Sequence, residues 1–328
     1  MNAYCQMPAA RQRLVCEQTA ARSGLFAASV EKDFWVVWVL DKLFQLPQAG
    51  GHLTFKGGTS LAKVWQLIER FSEDIDIVID RDALGYGGEQ GPERAASRKQ
   101  RKRRLEALKA AAQAYVRENI QPQLAASFAA ALPSGSAWSL EADPDDADGQ
   151  TLLFAYPSVF PDHPAYLRQM VKIEMGARSD TEPSAIAGVE PLLKSYFPEL
   201  LTHARVSVRA VRAERTFWEK AMLLHEETFR TAERRNHKKY LARHYYDLYR
   251  LIQGGVAARA VAEAGLFDTI AAHREVFLSY SWVDYASLRP GSKIWSQAAK
   301  RCGCWWASFT FGVSVRCTRA WRRMRIFA

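Results

Sequence analysis

Lys56-Gly57-Gly58-Thr59-Ser60-Leu61, followed after a short stretch by Phe71-Ser72-Glu73-Asp74-Ile75-Asp76, decides how this chain is read. Just upstream, His52–Phe55 is short and mixed and reads as a strand. Two glycines after a strand and ahead of a helix let backbone N–H groups approach an anion, which the positive end of the helix dipole favours. The hydroxyls of Thr59 and Ser60 can donate to phosphate oxygens. Across Thr59–Arg70, Leu61, Val64, Trp65 and Ile68 recur at helical spacing, which predicts one amphipathic helix. The period changes at Asp74–Asp80. Ile75, Ile77 and Ile79 alternate there with Asp74, Asp76, Val78 and Asp80, a half-buried strand with a carboxylate-bearing face.

On such a strand Asp74 and Asp76 share a face at roughly 7 Å Cα spacing. Two carboxylates that close repel unless a cation sits with them, and hard oxygen donors suit Mg²⁺ or Mn²⁺. Val171–Met175 alternates again, with Lys172 and Glu174 on its polar face, so Glu174 can complete a three-carboxylate metal site. A phosphate cradle facing a divalent-metal site is an arrangement for nucleotide chemistry. Two other readings stay open at this point. Glycosyltransferases also use a DxD to hold a nucleotide-sugar through Mn²⁺, and a nucleotide-binding or interaction module without turnover would carry the same residues.

Outward from this segment, residues 1–46 read as two helices, the second with Ser29 as N-cap and Glu31 and Asp33 at the positive end of its dipole. Gly85–Pro92 is a glycine-rich loop. Arg94–Asn119 is a charged helix with seven Lys/Arg between Arg94 and Arg104, read equally as a face that tracks RNA phosphates or as a solvated face. Asp143–Asp148 is an acidic turn, but Ala147 and Phe154 stand where a calcium loop needs ligands. Val206–Val211 is a further strand. From Thr216 the pattern is helical: Thr216–Arg230, Lys238–Ile252 closed by Gly254-Gly255, and a shorter helix near Val256–Phe267. The basic residues of Arg230–Arg243 are candidates to meet a nucleotide or acceptor. His163, His225 and His237 form no convincing metal triad. The layout predicts a mixed-sheet α/β domain over residues 1–212 and an α-helical domain over 213–292.

The 328 residues, 48% apolar and 24% charged, exclude wholesale disorder, and the five cysteines lack a CxxC, which points to a reducing compartment. No uncharged apolar run reaches the roughly 18–20 residues of a bilayer crossing, and no secretory pattern opens the chain, so a cytoplasmic protein with no membrane partner is expected. The net charge of +10 is unevenly placed: Lys293–Ala328 holds eight Lys/Arg, three cysteines and four tryptophans, and no Asp or Glu. That composition reads as a frameshift-derived end. Its rival is a basic-aromatic arm for nucleic acid or a membrane surface.

The paired segments Lys56–Leu61 and Phe71–Asp76 occur in order with Glu31-Lys32-Asp33-Phe34-Trp35, Val171-Lys172-Ile173-Glu174, Glu219-Lys220 and Arg243-His244-Tyr245-Tyr246-Asp247-Leu248. Together they resemble the AbiEii/AbiGii-type nucleotidyltransferase toxins of the DNA polymerase β-like superfamily, over about residues 28–252. The resemblance implies a nucleotidyltransferase domain and a helical domain with the active site between them. It implies that Lys56, Gly57, Gly58 and Thr59 or Ser60 hold the nucleotide's phosphates and that Asp74 and Asp76 hold metal ions. Lys172 and Glu174 match the next motif, Lys220 the helical lysine that touches the nucleotide, with Arg243 beside it, and Asp247 the acidic residue of the last motif. His244 departs from the pattern, since many members have Asp there, and the Thr59–Asp74 stretch is about one residue longer than usual. The implied chemistry is Mg²⁺-dependent transfer of a nucleoside monophosphate from an NTP to an acceptor hydroxyl, with the tRNA 3′ end as acceptor and a cognate antitoxin as partner.

Overall fold

The computed structural model describes residues 1–161, 168–230 and 238–288. The readings made for His163, His237 and the Lys293–Ala328 tail lie outside these residues. The described residues form two compact units: one lies within residues 1–66 and 71–212, the other comprises residues 67–70, 213–230 and 238–288.

The first unit is a mixed α/β body. Its strands are β1 (Leu53–Lys56), β2 (Ile75–Ile79), β3 (Ser139–Ala142), β4 (Thr151–Ala155), β5 (Met170–Gly176), β6 (Ser184–Val189) and β7 (Val206–Val211). They make one seven-stranded sheet in the order β3-β4-β5-β2-β1-β7-β6. β1 is antiparallel to β2 and parallel to β7, and β2 is parallel to β5. The helices are α1 (Asn2–Cys5), α2 (Ala9–Ser23), α3 (Ala27–Phe44), α4 (Gly57–Lys63), α5 (Arg98–Tyr115), α6 (Gln121–Ala131) and α7 (Leu193–Tyr196).

α3 is apolar nearly all round, the pattern of a helix buried on every side. It packs against β5, β7 and α6. Trp35 and Trp38, both essentially buried, meet edge to face at 5.4 Å, and Trp38 lies 4.7 Å from Phe128. Phe128 in turn lies 4.5 Å from Phe154 of β4. Each such ring removed from water contributes roughly 1.5–3 kcal/mol, so this aromatic cluster anchors the sheet to α3. The helix begins at Ala27 after Phe26, and Ser29 sits inside its first turn rather than capping it. Glu31 is nearly fully buried and, like Asp33, bonds to other elements of the unit rather than to solvent at the helix end.

The helix expected over Thr59–Arg70 is shorter than its pattern. α4 ends at Lys63, and Gln66 takes a φ of 52°, in the left-handed region that breaks a helix. Trp65 Nε1 donates to the Val211 carbonyl at 3.0 Å, whereas Leu67–Arg70 belongs to the second unit. One apolar periodicity therefore serves two bodies. The charged helix also starts late. Ser97 caps α5 by accepting from the Gln100 N–H at 3.2 Å, and a π-turn over Val116–Ile120 leads into α6.

The second unit contains α8 (Ala213–Glu227), α9 (Lys238–Gln253), α10 (Val256–Ala262) and α11 (Leu266–Phe277). Gly255, at φ 73°, turns the chain after α9, and Gly265, at φ 78°, splits the single helix expected near Val256–Phe267. Trp218 Nε1 donates to the Ala260 carbonyl at 3.1 Å, and Arg274 closes a buried bidentate pair on Glu226 at 2.7 and 2.5 Å. Among the described residues no helix is long and apolar enough to cross a membrane.

Candidate functional site

The α/β unit places a row of charged residues across its central strands. Lys56 pairs with Asp76 in the β1–β2 register, Asp76 with Glu174 in β2–β5, and Glu174 with Thr151 in β4–β5. Residues in register project from the same face with Cβ atoms roughly 5 Å apart, and like charges so placed repel. The lysines of the row answer that repulsion. Lys172 Nζ lies 2.7 Å from Glu174 Oε1 and 3.6 Å from Asp143 Oδ2. Lys56 Nζ donates to Ser179 Oγ at 2.9 Å. The hydrogen bond to Glu174 holds the Lys172 ammonium above its usual basicity, against partial burial.

Asp74 stands one residue before β2 rather than within it. Burial first, then Glu73 and Glu174, raise its carboxyl above the ordinary range. The polar face predicted to run through Val78 stops at Asp76, because Val78 is buried. Neighbouring anions thus gather around a partly desolvated carboxyl.

Gly57 is the backbone counterpart of this row. Its φ is 83°, and a Cβ at this position would lie 1.9 Å from Asp76 Oδ2. The Asp76 carboxylate occupies the space a side chain would fill, so it lies directly against the Gly57 backbone. Thr59 and Ser60 are buried and bonded within the fold. Thr59 Oγ1 lies 2.9 Å from Ser72 Oγ, and Ser60 Oγ donates to the Gly57 carbonyl at 3.0 Å. Their hydroxyls hold the loop in shape, and the Thr59–Ser72 contact ties the two sequence segments together. Gly57 and Gly58, the first two residues of the seven-residue α4, are half-buried.

The three-carboxylate cage expected from Asp74, Asp76 and Glu174 is not assembled. Among the described residues no three His, Cys, Asp or Glu side chains stand together in a metal-holding group, and Lys172 engages Glu174. Asp74 and Asp76 remain as hard oxygen donors. That donor set fits Mg²⁺, which takes one or two carboxylates from a protein and completes its shell with water and phosphate oxygens.

The helical unit carries a cluster of opposite character. Asp247 on α9 is fully buried, and its Oδ1 accepts from Arg70 Nε at 2.7 Å. Its Oδ2 accepts from Arg70 Nη2 at 2.9 Å and from Lys220 Nζ on α8 at 3.0 Å. Burial alone would raise this carboxyl, but the Arg70 bonds and the Lys220 charge hold it below the usual carboxylate range. His244, one helical turn before Asp247, places Nδ1 3.4 Å from Lys220 Nζ. Burial, then Lys220 and Arg243, push its imidazole down to about 4, so it is neutral at neutral pH. Arg243 is exposed. Arg70 escaped the sequence reading because it lay inside a predicted helix. Its signal is a basic residue directly ahead of Phe71–Asp76, and its neighbour Glu69 pairs with Arg250 at 2.7 Å.

Among solved structures, the chain is similar to MenT4, a nucleotidyltransferase toxin from Mycobacterium tuberculosis H37Rv, at 16% identity and a TM-score of 0.39, over 90% of this chain and 95% of that one. No curated protein matches it. The family model described as nucleotidyl transferase AbiEii toxin, type IV TA system, matches residues 38–297. That span takes in most of both units, and the chain belongs to the AbiEii nucleotidyltransferase toxin family of type IV toxin–antitoxin systems.

Proposed function

We propose that the protein is an active Mg²⁺-dependent nucleotidyltransferase that moves a nucleoside monophosphate from an NTP onto an RNA hydroxyl, the 3′ end of tRNA, and that a cognate antitoxin restrains it. Mn²⁺ would serve in place of Mg²⁺. The observation that carries the reading is Asp76: its carboxylate lies in the space a Gly57 Cβ would fill, so an anion-accepting backbone and a metal-accepting oxygen are adjacent.

Asp74 and Asp76 would hold the metal, which supplies a Lewis acid for the phosphates and lowers the pKa of the attacking hydroxyl. The chain's own work is positioning and charge. The backbone at Gly57 and Gly58 receives phosphate oxygens without the steric cost of side chains, and Lys56 sits in register with Asp76 to offset charge there. Glu174 is the candidate general base, with Lys172 holding its carboxylate oriented. In the helical unit, Lys220 is fixed by Asp247 and would compensate negative charge on the nucleotide, with the exposed Arg243 as a second cation. Charge placed in advance at such positions is worth more than mobile charge because it needs no reorganisation during the reaction.

The test incubates purified protein with Mg²⁺, each α-labelled NTP in turn and total bacterial tRNA, beside the Asp76→Ala variant. Label on tRNA with wild type and none with the variant supports the reading. Full transfer by the Asp76→Ala protein refutes the site. NTP binding with no transfer to any acceptor favours a non-catalytic module, and protection by a nucleotide-sugar but by no NTP favours a glycosyltransferase.

A further inference from the structure

Three consecutive charged residues near the start of α3 are placed where charge is expensive. Glu31 and Lys32 are nearly fully buried, 1% and 3% exposed. Successive residues of a helix point about 100° apart, so the three side chains reach three different elements. Glu31 accepts from the Val159 N–H and from Ser158 Oγ, each at 2.7 Å. Lys32 Nζ lies 2.7 Å from Glu73 Oε2 and donates to the Arg168 carbonyl at 2.9 Å. Asp33 accepts from the Leu192 N–H at 2.7 Å and from Lys63 Nζ, at the last residue of α4.

Buried ion pairs seldom add stability that an apolar side chain of equal size would not, so their use here calls for a geometric reason. The partners supply one. Glu73 is the residue immediately before Asp74, and Lys63 ends the helix that begins at Gly57. The same rigid helix, fixed by its aromatic packing, therefore grips both segments that build the carboxylate site. The grip is on backbone neighbours of the site, not on its acting groups.

We propose that Lys32 is a positioning residue of this site: through Glu73 it fixes the chain that presents Asp74, while Asp33, through Lys63, holds the segment that starts at Gly57. The inference rests on the reading that Asp74 and Asp76 hold a divalent metal. A positioning role and a bystander charge differ in sign. A nearby ammonium by itself repels a metal ion, so its removal would tighten metal binding. Loss of positioning loosens it, and supporting groups of metal sites typically contribute about 10- to 100-fold in affinity.

The full-length protein is titrated with Mn²⁺ alone, free ion being followed by electron paramagnetic resonance, with thermal unfolding of each variant run alongside. Lys32→Met is expected to weaken Mn²⁺ binding roughly 10-fold. Glu73→Gln, in which Lys32 keeps its bond to the Arg168 carbonyl, is expected to weaken it by a similar factor, and the double variant by no more than either alone. Tighter or unchanged binding in Lys32→Met, or losses that simply add in the double variant, overturns the proposal. If Lys32→Met does not fold, Lys32→Gln takes its place, with tighter or unchanged Mn²⁺ binding again overturning the proposal. Asp76→Asn separates the two levels. Binding lost there but kept in the Lys32 and Glu73 variants leaves the metal site standing without its clamp, whereas binding unchanged in Asp76→Asn, or absent in wild type, removes the underlying reading.

Discussion

The two units solve opposite electrostatic problems. In the α/β unit, burial first and then Glu73 and Glu174 push the Asp74 carboxyl up, and Lys32 and Lys172 only partly offset them. In the helical unit, Asp247 is more deeply buried, yet Arg70 and Lys220 pull its carboxyl down. The same functional group is thus left under-compensated in one body and fully compensated in the other. Under-compensation is what the metal-holding role proposed for Asp74 requires. Full compensation makes Asp247 a fixed anchor for Arg70 and Lys220.

This contrast can be broken most sharply by substitution at the row itself. Asp76→Ala should reduce transfer on the order of 10³-fold while leaving the fold intact, read as label incorporation beside an unfolding curve. Asp247→Asn should do the reverse first. It leaves Arg70 and Lys220 without their buried counter-charge and should cost about 3 kcal/mol, seen as a lower denaturant midpoint. An unchanged midpoint would mean that Asp247 is no anchor. Gly57→Ala forces a side chain into a φ of 83° and against Asp76, and should cost about 2 kcal/mol together with activity. Retained activity there would deny that the close approach matters.

The smallest effect concerns pH. His244 and His225 are both pushed down to about 4, chiefly by burial. The unfolded chain binds these protons near pH 6.5 while the folded chain does so only near 4, so the unfolded state gains as pH falls. The helical unit should therefore keep its full stability above pH 6.5 and lose it progressively toward pH 4. His244→Gln should remove roughly 1–2 kcal/mol of that acid loss, His225 retaining its share. An acid slope that is identical in wild type and variant would show that His244 is not held neutral by its surroundings.

How much of this was legible in the chain depended on whether one period described one environment. Alternation around Ile75, Ile77 and Ile79 revealed β2, and apolar positions running through to Leu46 revealed α3, though not its start. β3, β4 and β6 did not, since Thr151–Ala155 is a contiguous apolar run and Ser184–Val189 is built from small residues. Leu61–Ile68 read as one helix because a periodicity carries no mark of where one body ends and another begins. Asp74, Asp76 and Gly57 stood out because their chemistry is unusual at that spacing. The inward turn of Ser60, the pairing of Glu174 with Lys172 and the bidentate Arg70–Asp247 contact all depend on partners remote in sequence, which no local pattern encodes.

The central claim is that burial and neighbouring carboxylates penalise the charge of Asp74 and that a cation, as proposed, relieves the penalty. Thermal unfolding of wild type and Asp74→Asn at pH 7, each with and without Mn²⁺, tests it directly. Without metal the Asn variant should be at least as stable as wild type, because a penalised charge has been removed. With metal, wild type should rise by the linkage of binding to folding and the variant should not. A variant less stable than wild type without metal, or equal stabilisation of both by Mn²⁺, would contradict the account.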